Sequence, residues 1–289
     1  MNEAHRSPTV RRRRLAAELR RLREAGGLTH EDVAAALGWH RSKIGRIESA
    51  QFVRLSLTDL RAMLDLYRVE DAAQRELLTT LAREARQRGW WHTYSDVLPN
   101  PHSTFIGLEA ETSAIRTYQA QLVPGLLQTE DYTRAILQAT RMTTRETDEA
   151  QRFVEVRKAR QELLYQEPAV TLWAVLDEAV LRRQIGGPAV MAAQLARLSE
   201  AAELPNVTLQ VLPDKAGEHA ALEGSFTILG FAGTGEQSVV YIDATTGGVY
   251  VEKAEDVDRY ASVFDHVRAA ALSPKDSIAF IMDAATHLR

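Results

Sequence analysis

Arg41, Ser42, Lys43 and Arg46 are the side chains whose types and spacing point most directly to chemistry. They follow a Gly38-Trp39-His40 turn and lie on the outer side of a short helical pattern whose inner side is Ile44 and Ile47. The first turn of such a helix can enter a major groove end-on, so that its leading side chains, and one a turn later, meet base edges. Arg41, Ser42 and Arg46 hold those positions: arginine matches guanine O6 and N7 with two bonds, and serine is a permissive partner. Lys43 and His30 fit phosphate contacts, which orient a protein on the duplex without reading sequence. Arg11 and Arg12 fit them too. They begin a run of four arginines at 11–14, either a minor-groove arm or, more simply, the solvated, phosphate-facing first turn of a helix. Taken singly, these charges are what any surface helix carries; helix spacing, the turn glycine and the local charge together favour DNA.

The elements that must position them are legible as helices. Leu15, Leu19 and Leu22 form one stripe that ends at Gly26-Gly27. Thr29, with Asp32 three residues on, is an N-cap with an acidic partner, and Val33, Ala34 and Leu37 follow until Gly38 stops the helix. After the recognition helix, Leu57, Leu60, Met63, Leu64 and Tyr67 define a fourth, and residues 71–88 a fifth with Leu77, Leu78 and Leu81 on its apolar side. Gly89-Trp90-Trp91 ends it as a packed hinge, with Trp91 a lesser candidate for a ligand wall.

Composition sets the outer bounds. A chain of 289 residues, 45% hydrophobic and 26% charged, suits two globular domains. It has no cysteine, which excludes disulfides, thiolate metal sites and cysteine nucleophiles. No apolar region follows the early arginines as in a secretory signal, and no run approaches the roughly 18 apolar residues of a membrane helix, so a cytoplasmic protein is expected, nucleoid-associated when on DNA. The net charge of -4 is unevenly divided. Residues 1–89 hold 18 Lys and Arg against 12 Asp and Glu, net +6, while residues 90–289 hold 17 against 27, net -10. The two parts are expected to face different partners.

Residues 11–68 resemble the Cro/C1-type, Xre-like helix-turn-helix family, a five-helix all-α domain. The resemblance implies that Arg23, late in the first helix, pairs with Glu48 at the close of the recognition helix, a structural lock and not a base contact. Two positions depart from the family pattern: Ala50 stands where a glycine is usual, and His40 where a Ser or Thr cap is common.

Beyond the hinge, residues 95–105, with Pro99 and Pro101, read as a connector. A helix is expected from Phe105 to about Tyr118, another after the Pro124-Gly125 turn, capped by Thr129 and running to about Thr140, and a third over 147–165. From Pro168 the pattern changes to strands at 170–176, 207–212, 225–231, 238–242 and 248–251, among helices at 177–184, 189–202, 254–271 and 274–285. The expected fold is therefore multidomain, α plus α/β. A five-helix DNA-binding domain (1–89) leads through a helical connector (90–166) to a mixed α/β regulatory and dimerisation domain (167–289) with about five strands.

This second part offers little catalytic chemistry. The eight histidines lack close metal-ligand spacing. Asp177 and Glu178, adjacent on a helix, point roughly 100° apart and fit helix N-terminal partners better than an acid/base pair. Gly233-x-Gly235 and Gly247-Gly248 lie between strands as hairpin turns, and Ser225 lacks the glycine pattern of a nucleophile elbow. Only the loop around His219 and Glu223 is a candidate ligand or partner loop, with an ordinary solvated loop the simpler reading. No catalytic residue, metal or cofactor is expected.

Five stretches, beginning at Leu108, Val123, Arg157, Asp177 and Asn206, resemble in order the domain of unknown function DUF5753 of actinobacterial Scr1-type, WhiJ-like regulators, from about Trp90 onward. The resemblance implies an antitoxin-like transcription regulator, often paired with a small acidic DUF397-type protein. The expectation is a homodimeric, non-enzymatic regulator of double-stranded DNA. The alternatives are a small-molecule sensor or enzyme with a pocket near His219, Glu223 and Trp91, and an adaptor acting through residues 90–289.

Overall fold

The computed structural model describes residues 8–50, 55–86, 89–94, 96–98, 100–140, 147–232, 238–244 and 247–288. They fall into two compact units, Met1–His92 and Thr93–Arg289.

The first unit is all helical: α1 (Pro8–Ala25), α2 (His30–Leu37), α3 (Arg41–Glu48), α4 (Leu57–Leu66) and α5 (Ala72–Glu84). The helices from α2 to α5 each begin where local chemistry supplies a cap. Thr29 and Asp32 form a reciprocal capping box on α2, while Ser56 caps α4 and Asp71 caps α5 through side-chain bonds to backbone N–H groups. α1 packs on α3 and α5, and α2 on α3 and α4. Their apolar stripes close one core around Leu15, Leu19, Val33, Ile44, Leu60 and Met63, all fully buried. Leu77 departs from expectation. It is half exposed, because the inward stripe of α5 runs through Leu78, Leu81 and Ala82.

The second unit is built on a six-stranded sheet: β1 (Thr112–Gln119), β2 (Thr171–Asp177), β3 (Val207–Leu212), β4 (Phe226–Phe231), β5 (Val239–Ile242) and β6 (Val249–Val251), in the order β3-β2-β1-β4-β5-β6. The pairs β1–β2 and β2–β3 are parallel; β1–β4, β4–β5 and β5–β6 are antiparallel. Around it are α6 (Asn100–Glu109), α7 (Glu130–Thr140), α8 (Thr147–Gln161), α9 (Glu178–Arg182), α10 (Pro188–Ala201), α11 (Ala254–Ala270) and α12 (Pro274–Thr286).

β1 corrects the expectation of a helix reaching Tyr118. That helix stops at Glu109, and Thr112, Ile115, Thr117 and Tyr118 are β-branched or aromatic residues that suit a pleated surface. The region between the hinge and Pro168 is thus not purely helical: it contributes a central strand. α11 packs on one face of the sheet, where Tyr118, Val175, Phe226, Ile228 and Val240 meet Phe264 and Val267. The outer edge of β3 is closed by the chain itself. Leu272 N–H donates to Val211 O at 2.9 Å, and Val211 N–H donates to Ser277 Oγ at 2.8 Å, which prevents further pairing there.

Candidate nucleic-acid interface

α3 is a two-turn helix held from beneath by Ile44 and Ile47, which are buried, while Arg41, Ser42 and Arg46 are exposed on its other side. Its entry is set by Gly38, whose left-handed φ of 65° ends α2 and turns the chain. The next device was not legible as a functional residue: His40 is the N-cap. Its Nδ1 accepts the Ser42 backbone N–H at 3.2 Å and lies 2.7 Å from Ser42 Oγ. An Nδ1 that accepts must be unprotonated, so the neutral ring carries its proton on Nε2. The signal available was position alone, immediately ahead of the first helical residue, since an imidazole is outside the usual capping set.

The C-terminal end of α3 is fixed by Glu48. Its carboxylate, 4% exposed, accepts Arg23 Nε at 2.7 Å and Nη2 at 2.9 Å, and lies 3.0 Å from His30 Nε2. Arg23 Nη1 donates to Leu28 O at 2.6 Å. The bond to Glu48 holds the Arg23 guanidinium more firmly protonated than usual, against the opposing effect of burial. One carboxylate thereby joins α1, α2 and α3.

Several cations expected at phosphates are placed otherwise. His30 faces Glu48, not the outer surface, because the first residue of α2 lies beside the last residue of α3. Arg11 lies in the same inward row as Leu15 and Leu19 and is buried, its Nε 3.0 Å from Glu84 on α5. Arg12 is half-buried, and desolvation lowers its pKa. Lys43 Nζ is 3.0 Å from Asp59 and 3.6 Å from the centre of the Trp39 ring. Arg41 Nε meets Glu31 at 2.9 Å in an exposed pair, and Arg46 pairs with no acid among the described residues. The outward face that remains is Arg41, Ser42 and Arg46, with His40 at its leading edge.

In the second unit, the candidate loop is tied down at one residue. Tyr118 OH donates to Asp177 Oδ2 at 3.0 Å, and His219 Nε2 lies 3.4 Å from the same hydroxyl. His219 Nδ1 accepts the Ala221 N–H. Burial and the charge of Asp177 raise the Tyr118 phenol far above its ordinary pKa, so it stays a donor. Asp177 also caps α9, and buried Glu178 accepts from Arg182 and from the Asp214 N–H. Glu223 is exposed, with no partner among the described residues. Trp91 is buried in the other unit and stacks on His92, so it offers no open wall.

The stretches that begin at Val123 and Arg157 meet as structure. Gln161 donates to the carbonyls of Gly125 and Gln128, Arg157 bonds Gln128, and Arg160 pairs with buried Glu109 at 2.6 Å. A side chain at Gly125 would press within 3.3 Å of the Arg160 guanidinium. Among the described residues, no group of three side chains could hold a metal, and no helix is long and apolar enough to cross a membrane.

Residues 14–78, which include this whole α3 face, match the model of a helix-turn-helix domain. That match marks the first unit as the DNA-binding part of a regulator. Residues 102–283 match the model of a domain of unknown function, DUF5753. No curated protein and no solved structure matches the chain. With well over half of its length inside that second domain, the chain belongs to the DUF5753 family.

Proposed function

We propose that the protein is a sequence-specific, non-enzymatic transcription regulator that binds double-stranded DNA as a homodimer, with its C-terminal unit receiving a small acidic partner protein. The observation that carries the reading is the exposed face Arg41, Ser42 and Arg46 on a helix whose two ends are fixed by His40 and Glu48. A rigid helix presenting two guanidiniums to the groove reads guanines, and two copies read half-sites about one helical turn apart, roughly 34 Å. The acidic remainder of the chain repels the duplex, which leaves contact to the first unit.

Binding of the full chain to its upstream DNA across a salt series tests this. Affinity should fall steeply with salt, and the Arg41→Ala/Arg46→Ala double variant should lose about 10- to 100-fold on the operator per guanine contact removed, with little loss on unrelated DNA. Salt-independent binding, or an unchanged double variant, would refute it. A second reading, a small-molecule sensor, is favoured by one observation, the Tyr118, Asp177 and His219 cluster at the carboxyl ends of β1 and β2. A metabolite-induced melting shift that disappears in His219→Ala would select it.

A further inference from the structure

β1 lies in the interior of the sheet, yet the side chain it sends toward α11 between Ala114 and Tyr118 is Arg116. A guanidinium there needs a reason. Arg116 is half-buried and its side chain makes no hydrogen bond or ion pair to any described residue; the guanidinium makes a loose approach to the Phe264 ring, 5.9 Å from the ring centre. An internal arginine would normally be matched by a carboxylate, as Arg160 is by Glu109 in the same unit.

Its cross-strand neighbour in the register is Trp173 on β2. This tryptophan is half-exposed and held in one orientation: Nε1–H donates to Gln210 Oε1 at 2.8 Å, and the Gln210 amide nitrogen donates to the carbonyls of Leu272 and Arg268. Gln210 is itself 6% exposed and uses both ends of its amide. Arg268, at the end of α11, lies over the Trp173 ring at 4.7 Å, with its Nε on Asp265. The result is a partly buried indole, edge-on to Phe264 at 6.3 Å, with the Arg268 guanidinium over its ring and Arg116 opposite it on the next strand, in a unit of net charge -10. Beside it, the sheet surface is low, with Ala114 and Gly230 partly exposed and opposite one another in the register. Immobilised Trp and Arg side chains of this kind are the groups that dominate protein interfaces. Preorganisation by Gln210 removes part of the ordering cost of binding.

We infer that Arg116, Trp173 and Arg268 form a docking platform for an extended, carboxylate-rich segment of a partner protein, an assignment that rests on the reading of the C-terminal unit as partner-controlled. Carboxylates of the segment satisfy the open donors of Arg116 and the terminal nitrogens of Arg268, and its apolar stems cover Trp173.

Fluorescence anisotropy of the full chain with a short, labelled Asp/Glu-rich peptide tests the assignment, using the same peptide with Asn and Gln in place of the acids as its control. The wild type should bind the acidic peptide about tenfold or more tightly than the control, and Arg116→Gln/Arg268→Gln should abolish most of that difference. Melting temperature and DNA binding of this variant should stay as in the wild type. Failure of the acidic peptide to bind, or equal binding by wild type and variant, overturns the platform. So does binding that is lost in Arg41→Ala/Arg46→Ala instead, which would place the peptide on the basic first unit. Calorimetric titration with inorganic phosphate and free glutamate forms a separate arm: saturable binding of these without peptide binding, lost in Arg116→Gln/Arg268→Gln, makes Arg116 a small-anion site and overturns the docking role. The peptide outcomes do not depend on the DNA measurement, so failure of the regulator reading registers separately, as absent salt-dependent duplex binding.

Discussion

Removing the Glu48 carboxylate should loosen α3 far more than its small size suggests. In Glu48→Ala, Arg23 keeps its charge and its position, with a side chain 10% exposed, and loses both bonds that neutralise it. Its remaining partners are the Leu28 carbonyl and Glu24, the latter half exposed and 3.3 Å away. Breaking one member of a buried pair costs about 3–5 kcal/mol. At 1.4 kcal/mol per tenfold, that raises the opening constant of α3 by roughly 100- to 3,000-fold. Hydrogen exchange of the α3 amides, read by mass spectrometry on the full chain, measures the change locally and avoids treating a two-unit protein as a single transition. The companion variant, Arg23→Met/Glu48→Leu, replaces both charges by apolar side chains of similar bulk and should recover most of the protection. His30, 31% exposed, can turn to water in either variant. A loss below about fivefold in Glu48→Ala, about 1 kcal/mol, would refute the argument. A double variant as open as the single one would refute it equally, since the cost would then lie in shape and not in the orphaned charge.

Two further outcomes follow from local geometry. Ala50 has φ of 56°, a left-handed conformation that costs a residue with a Cβ about 1–2 kcal/mol and glycine almost nothing. Ala50→Gly should therefore stabilise the first unit by about 0.5–1 kcal/mol after the extra chain entropy of glycine is subtracted, measured as a higher urea midpoint; a lower midpoint would contradict the strain. Asp32 is held below the usual carboxylate range by its bonds to the Thr29 hydroxyl and backbone N–H. A depressed folded pKa adds stability that is complete above the unfolded pKa and is lost as pH falls through the folded one. Protection of α2 should accordingly persist at neutral pH and decline only on acidification through and below the ordinary Asp range, and Asp32→Asn should flatten that acid limb without altering the alkaline side.

Helices of the first unit are legible where they carry their own punctuation. Thr29 with Asp32, Gly38 and Asp71 act within a turn of themselves, and their effect does not depend on the rest of the chain. The stripe Leu15, Leu19, Leu22 is legible for the same reason, and it also decides the side on which Arg11 falls. Position 11 is four residues before Leu15, so the row that buries the leucines also buries the arginine, and α5 provides Glu84 to receive it. In the sequence β1 looks like the end of a helix, because its alternation mixes Thr, Arg and Gln with Ile and Tyr, and no apolar run marks it. A strand so placed is specified by its neighbours: Arg116 is opposite Trp173 on one side and Ile228 on the other, 57 and 112 positions away in the sequence. Pairing over such separations leaves little local trace.

The fate of the cations changes what the first unit can be. Of the cations expected at phosphates, Arg11, His30 and Lys43 are engaged within the unit by Glu84, Glu48 and Asp59, and the structural Arg23 is held by Glu48. Those charges act as braces. They hold α1 to α5 and α3 to α1 and α2, and they hold Lys43 back on Trp39. A base-reading side chain is selective only if its backbone stays within about 0.5 Å of the productive position. A helix of eight residues cannot hold itself there, since helices this short are marginal in water on their own. In the proposed reading the braces hold α3 in place for discrimination by Arg41, Ser42 and Arg46, and attraction to phosphate falls to arginines exposed elsewhere in the unit, such as Arg61, Arg68 and Arg86.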